Sequence, residues 1–149
     1  MLICLICICK LSSYAQIDTL SFPRERAEVK KFMSDPAFKV QTRNSCNDLV
    51  TVGPKGDINF SLDQWKDTQG KEKLVFKSVK VMPGTEIIRI YNAKTAVVNW
   101  LADVEINVAG HDIALKVRRL EIFIKKGNSW CMVAGQGTQV DEKLFPIKK

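Results

Sequence analysis

Histidine and cysteine are scarce in this chain, and no apolar run is long enough to span a membrane. The 149 residues hold one histidine, His111, and five cysteines, three of which (Cys4, Cys7 and Cys9) lie close to the N-terminus. Downstream remain only Cys46 and Cys131, distant from each other and from His111 in sequence. That spacing matches no zinc-binding Cys/His pattern, so neither a metal site nor a cofactor is expected. Histidine is the natural general base near neutral pH, but His111 sits in Gly110-His111-Asp112, a turn sequence. Turn tips are exposed and mobile, so it reads as a turn residue. Gly135-Gln136-Gly137-Thr138 is rich in glycine but ends a strand pattern without opening a helix. The strand–loop–helix context that cradles phosphate is therefore missing.

The apolar run at residues 2–9, LICLICIC, is eight residues long, too short for a hydrocarbon core of about 30 Å. Ser13 and Ala15 place small residues before Gln16, as in a signal-peptidase site. Residues 1–15 are thus expected to be a secretory signal, leaving a secreted or periplasmic protein without a stable membrane anchor. No Lys or Arg precedes the run, which departs from the usual signal. Isoleucine precedes each of its three cysteines, which argues against lipidation. In an oxidising compartment Cys46 and Cys131 could be bridged or could remain two buried thiols. The sequence leaves that choice open.

Charge is one-sided but not clustered. Lys and Arg number 23 against 16 Asp and Glu, a formal net charge of +7. The surplus is spread along the chain and is not interleaved with aromatic platforms, so nucleic acid is not an expected partner. The basic surface reads as solvated.

Secondary-structure patterns are ordered. RERAEVKKFMSD, from Arg24, has a one-sided helical pattern that Asp35-Pro36 ends. Residues 37–46 are ambiguous and could form a second helix. Asp48–Val52 reads as a strand, followed by a Gly-Pro turn. Ser61 with Gln64 forms a capping-box pattern that opens a short helix carrying Leu62 and Trp65 inward, with Gly70 as its expected C-cap. Strand patterns then follow at Leu74–Met82, Glu86–Tyr91 and Thr95–Val108. In the last of these, Ala96, Val98, Trp100, Ala102, Val104 and Ile106 alternate with polar residues. The closing hairpin, Val117–Val140, turns at Lys125–Asn128. Helices that precede a meandering sheet indicate an α+β domain. We divide the chain into a signal (1–15), a leader (16–26), one domain (27–140) and a tail (141–149).

Several stretches, DLVTVGPKGDI, VFKSVKV, IYNAKTAVVNW and RRLEIFIKKGNSWCMVAGQGTQV, resemble the nuclear transport factor 2-like superfamily and, within it, SnoaL-like domains of unknown function. The resemblance runs from Ala27 to Val140 and is most specific at Thr95–Val98 and Arg118–Thr138. It implies a cystatin-like cone, in which a curved antiparallel sheet wraps N-terminal helices and a pocket opens at one end. It also implies dimerisation through the outer sheet face. Relatives include ketosteroid isomerase, scytalone dehydratase, polyketide cyclases and pure binding modules, so the fold leaves function open. Asn92 stands where glycine is commoner, Leu120 where threonine often follows, and the helical part before Asp48 is short.

Strand alternation puts Arg118, Leu120, Ile122 and Ile124 on one face. An arginine among aliphatics could bind a carboxylate or enolate-like oxygen bidentately, or it could serve as a structural ion pair. Trp65, Trp100, Trp130 and Phe32 read as core or pocket lining, with core the commoner fate. Asp103 and Glu105 share the polar face of their strand and are expected on the outer sheet. The leading expectation is an exported, non-catalytic pocket for a small apolar or carboxylate-bearing molecule, lined by Arg118, Leu120, Trp100, Trp65, Phe32 and Asp48, in a homodimer. One alternative is an isomerase, dehydratase or cyclase that uses a pocket carboxylate such as Asp48, with Arg118 as electrostatic stabiliser. The other is an interaction domain that works through its outer sheet, including Asn99, Asp103 and Glu105.

Overall fold

In a computed structural model of the chain, residues 18–34, 45–53 and 56–143 are described. The expected signal segment, and most of the ambiguous stretch after the first helix, lie outside them. The elements run α1 (Pro23–Ser34), β1 (Ser45–Val52), β2 (Ile58–Asn59), α2 (Leu62–Lys71), β3 (Leu74–Val81), β4 (Ile87–Tyr91), β5 (Thr95–Val108), β6 (His111–Lys126) and β7 (Ser129–Gln139). Pro23 opens α1 at the position where a missing N–H costs nothing.

All seven strands form one sheet, ordered β2-β1-β7-β6-β5-β3, with β4 also on β5. β5 is long enough for β4 to pair with its first half and β3 with its second half along the same edge. Its other edge pairs with β6 along the whole length, Thr95↔Ile124 to Val108↔His111. Every other pairing is antiparallel, but β1 joins β7 in parallel, a pairing that strand order in the sequence does not reveal. Two of the register shifts, between Phe76 and Ser78 on β3 and opposite Ile122/Phe123 on β7, each insert one extra residue. Bulges of this kind bend a strand and increase its twist. The sheet is accordingly curved and unclosed, and α2 touches both β1 and β3, elements from opposite sides of the sheet.

Of the even-numbered residues of β5, Ala96, Val98, Trp100, Ala102 and Val104 lie in the core as the alternation predicts, and Ile106 is half-buried against it. α1 lays Val29, Phe32 and Met33 on this concave face, and Phe32 meets Phe123 edge-on at 5.5 Å between ring centroids. Polar groups then fix the helix. Arg26 donates to Ser21 O at 2.6 Å, to Asp18 O at 3.0 Å and to Ile88 O on β4. Glu28 Oε2 accepts from Lys125 Nζ at 2.6 Å and from Trp130 Nε1 at 3.1 Å, tying α1 to the β6–β7 hairpin.

The Lys125 hydrogen bond, then the Trp130 hydrogen bond, lower the Glu28 pKa from 4.5. A carboxylate with a depressed folded-state pKa contributes stability above its unfolded pKa and loses it as pH falls through the folded value. Acidification below about pH 4.5 should therefore loosen the helix–hairpin tie. The indole signal of Trp130 should report this, and Glu28→Gln should flatten that part of the acid transition.

Local turn chemistry differs from expectation in two places. Helix α2 does begin with the predicted box: Ser61 Oγ accepts from Gln64 N at 3.1 Å, and Gln64 Oε1 accepts from Phe60 N at 2.8 Å. It runs past Gly70, however, to Lys71, and the left-handed residue is Lys73 at φ 49°. The β5–β6 loop is the two-residue Ala109–Gly110, at φ 50° and 92°. Two left-handed positions suit Asn-Gly, whereas an alanine Cβ is strained there. Ala109→Asn should stabilise the protein by roughly 0.5–1 kcal/mol, seen as a higher denaturation midpoint.

Candidate functional site

The two-residue loop decides which side chains enter the cone. Because Val108 pairs with His111, even residues of β5 oppose odd residues of β6: Trp100 with Arg119, Val98 with Glu121, and Ala96 with Phe123. Arg119 and Glu121 therefore share the concave face with Trp100. Glu121 is 1% exposed and Arg119 16% by side chain. Glu121 Oε1 accepts from Arg119 Nε at 3.1 Å and Nη2 at 2.9 Å, while Oε2 accepts from Trp100 Nε1 at 2.8 Å. The guanidinium also lies 5.9 Å from the Trp100 ring centroid, within cation–π range. A buried charge needs this degree of pairing.

β7 makes room for the arginine. Gly137 pairs with Arg119 and Gly135 with Glu121. A Cβ would lie 3.2 Å from Arg119 Nη1 at Gly137, and 3.3 Å from Nη2 at Gly135. Both distances are tight, so the Gly-x-Gly of the last strand acts as clearance for a side chain and not as a phosphate loop. Nη1 makes no hydrogen bond among the described residues, and Arg119 lines a cavity of about 370 Å³.

That cavity occupies the open end of the cone, between β1, β2, α2, β3, β5, β6 and β7. Trp65, Leu74, Phe76, Ile106, Ile113 and Leu115 form much of its apolar wall. A short polar chain forms another side: Thr68 Oγ1 donates to Asn59 Oδ1 at 2.7 Å, and Asn59 Nδ2 donates to Thr51 Oγ1 at 3.4 Å. Asn59 is buried, and the Thr51 hydroxyl keeps its own proton for another acceptor. Asp57 and Glu72 also line the space. An apolar wall with a few converging polar groups is the ordinary composition of a small-molecule site.

Among the residues the sequence singled out, Trp65 lines this cavity. Trp100 is buried beneath it, as the donor that helps hold Glu121. Phe32 packs in the core under α1. Arg118 and Leu120 fall on the outer face, paired with Leu101 and Asn99, and Leu120 is 40% exposed. Asp48 is exposed on β1, 3.8 Å from Lys126. The cone arginine is thus Arg119, one residue on. Leu120, Ile122 and Ile124 made their own face look like the inner one, but both faces of β6 carry apolar residues. Counting back through the tight hairpin from β5 would have identified Arg119 and Glu121. Asp103 and Glu105 are exposed on the outer face as expected, and His111 is exposed beside the loop. Cys46 and Cys131 form a disulfide, with Cα atoms 5.3 Å apart.

No protein-family model and no curated protein matches the chain. Solved structures do. A nuclear transport factor 2-like protein of unknown function from Prochlorococcus is 16% identical, with 80% of this chain and 98% of that one covered and a TM-score of 0.64. A candidate scytalone dehydratase from Novosphingobium aromaticivorans is 12% identical, with 79% and 85% covered and a TM-score of 0.64. An uncharacterised cystatin-like protein from Caulobacter vibrioides is 12% identical, with 79% and 88% covered and a TM-score of 0.57. The chain therefore has the nuclear transport factor 2-like, cystatin-like fold, as the sequence resemblance implies.

Proposed function

We propose that this domain, built on the nuclear transport factor 2-like fold, is a non-catalytic carrier or sensor that holds a small, largely apolar molecule in the open end of its cone. The carrying observation is the 370 Å³ cavity, whose wall is mostly apolar and whose polar groups are few and convergent. The enzymatic alternative rested on Asp48 with Arg118, and neither residue lines the cavity. Arg119, which does, is already paired with Glu121, so the argument for a carboxylate-bearing ligand loses its free cation. Export remains part of the proposal. The Cys46–Cys131 bond supports it, since disulfides persist in oxidising compartments.

Native mass spectrometry of the protein purified gently from its own host tests the reading. A retained small molecule is expected on the wild type and should be absent from Ile113→Trp, which places a bulky ring at the cavity wall. Wild type and variant that are equally bare, from a host extract that supplies no mass to either, would oppose it.

The outer face supports a homodimer. Ile87 and Tyr91 on β4 and Leu120 on β6 are exposed there, on either side of β5, and exposed apolar side chains grouped on one face suit a contact site. Leu120→Lys should convert a dimer to a monomer in light scattering. A wild-type monomer at tens of micromolar would exclude this surface as a stable interface.

A further inference from the structure

Glycine on the middle of three strands brings two hydrogen-bond donors together on the concave face. Strands β1, β7 and β6 lie side by side, with Thr51 paired to Gly135 and Gly135 to Glu121. Arg119 shares the face of Glu121 and lies opposite Gly137. A Cβ at Gly135 would lie 3.3 Å from Nη2, and one at Gly137 would lie 3.2 Å from Nη1, so the guanidinium reaches from β6 over β7. Neighbouring strands stand about 4.8 Å apart. The guanidinium therefore ends roughly one strand spacing from Thr51, with only Gly135 between them. Both Arg119 and Thr51 line the cavity. Among the described residues, every buried side-chain nitrogen or oxygen has a hydrogen-bond partner. Nη1 has none, so it is accessible to solvent. Thr51 Oγ1 accepts from Asn59 Nδ2, and its own proton has no acceptor among the described residues.

We infer that Arg119 Nη1 and the Thr51 hydroxyl form a two-donor cradle for the carbonyl oxygen of a neutral ketone, ester or amide. This deepens the small-molecule reading above and rests on it. A carbonyl oxygen accepts through two lone pairs and donates nothing, which matches two donors that lack acceptors. A ligand without an acceptor would strip water from both donors and leave them unpaired, which costs affinity. Leu74, Phe76 and Ile106 give the apolar body of the ligand its packing surface. A carboxylate suits the cradle less well, because Glu121 Oε1 at 2.9 Å already balances the guanidinium charge. Glu121 is thus a positioning residue. Held in turn by Trp100 Nε1, it fixes the guanidinium over β7 and cancels its charge, so that donors remain without a net cation.

Titration of the full chain with benzylacetone, and with butylbenzene as its counterpart lacking the oxygen, separates this inference from the reading beneath it. Thr51→Val should weaken the ketone about fivefold and leave the hydrocarbon unchanged. Thr51→Ser, which keeps the hydroxyl, should hold the ketone as the wild type does. Arg119→Met combined with Glu121→Leu should cost the ketone at least about tenfold, since a charged donor is lost, without weakening the hydrocarbon. If these variants do not fold, the infrared carbonyl stretch of benzylacetone bound to the wild type serves the same purpose. It should lie well below its position in hexane, where nothing donates to the oxygen. Binding of butylbenzene with a hexane-like ketone stretch, or with both probes responding alike to the variants, would overturn the cradle and leave the pocket standing. Tighter binding of phenylbutanoate than of benzylacetone would overturn it too, as the mark of an anion site. Failure of both neutral probes to bind the wild type would overturn both readings.

Discussion

Replacing Arg119 with methionine should destabilise the protein by about 3–5 kcal/mol, although no backbone hydrogen bond is touched. The loss comes from Glu121. It is 1% exposed and would keep only the Trp100 indole, at 2.8 Å, from its three present donors. A buried carboxylate stripped of its cation bears its desolvation cost without the Coulombic return. Methionine keeps much of the apolar volume between Gly135 and Gly137, so a cavity is not the main effect. The pair Arg119→Met with Glu121→Leu should be less damaging than Arg119→Met alone, because the unpaired charge goes with its partner. Urea denaturation at unchanged slope reads both quantities. A loss of well under 1 kcal/mol in the single variant would mean that water already shares the charge.

The second large effect belongs to the disulfide. Cys46 and Cys131 are separated by 85 residues, and closing a loop of that length removes denatured-state entropy worth about 4–5 kcal/mol in the chain-entropy model. Cys46→Ala with Cys131→Ala should show a loss in the range of about 2–5 kcal/mol by denaturant titration. The bond also joins β1 to β7, whose pairing is parallel and interrupted between Ser45 and Val50. Amide exchange should therefore rise first along β1 when the bond is removed. Uniform loosening across β5 and β6 would instead mean that the bond acts on the whole fold and not on this edge.

The sequence revealed the periodic elements and obscured the geometry between them. β5 alternates because one face is buried along most of its length, and the capping residues of α2 declare its start. The faces of β6 were harder to tell apart. With aliphatics at Leu120, Ile122 and Ile124 and charges at Arg119 and Glu121, hydrophobicity alone selects the outer face as the inner one. Cross-strand pairing reverses that choice, since Arg119 lies opposite Trp100. Composition could not pair β1 with β7 or Cys46 with Cys131, because both depend on contacts between distant parts of the chain. The cavity is an outcome of that closure. Its wall comes from seven elements, and of its residues Trp65 and Ile106 carried a sequence signal pointing inward.

The central claim is that the open end of the cone holds a ligand, and side-chain NMR during a phenylbutanol titration tests it most directly. The account predicts saturable movement of the Trp65 indole N–H and the Arg119 Nε–H signals, with the outer-face amides of Leu120 and Ile122 unmoved. Saturable movement confined to the outer face, or no movement of Trp65 and Arg119 at saturating probe, would contradict it.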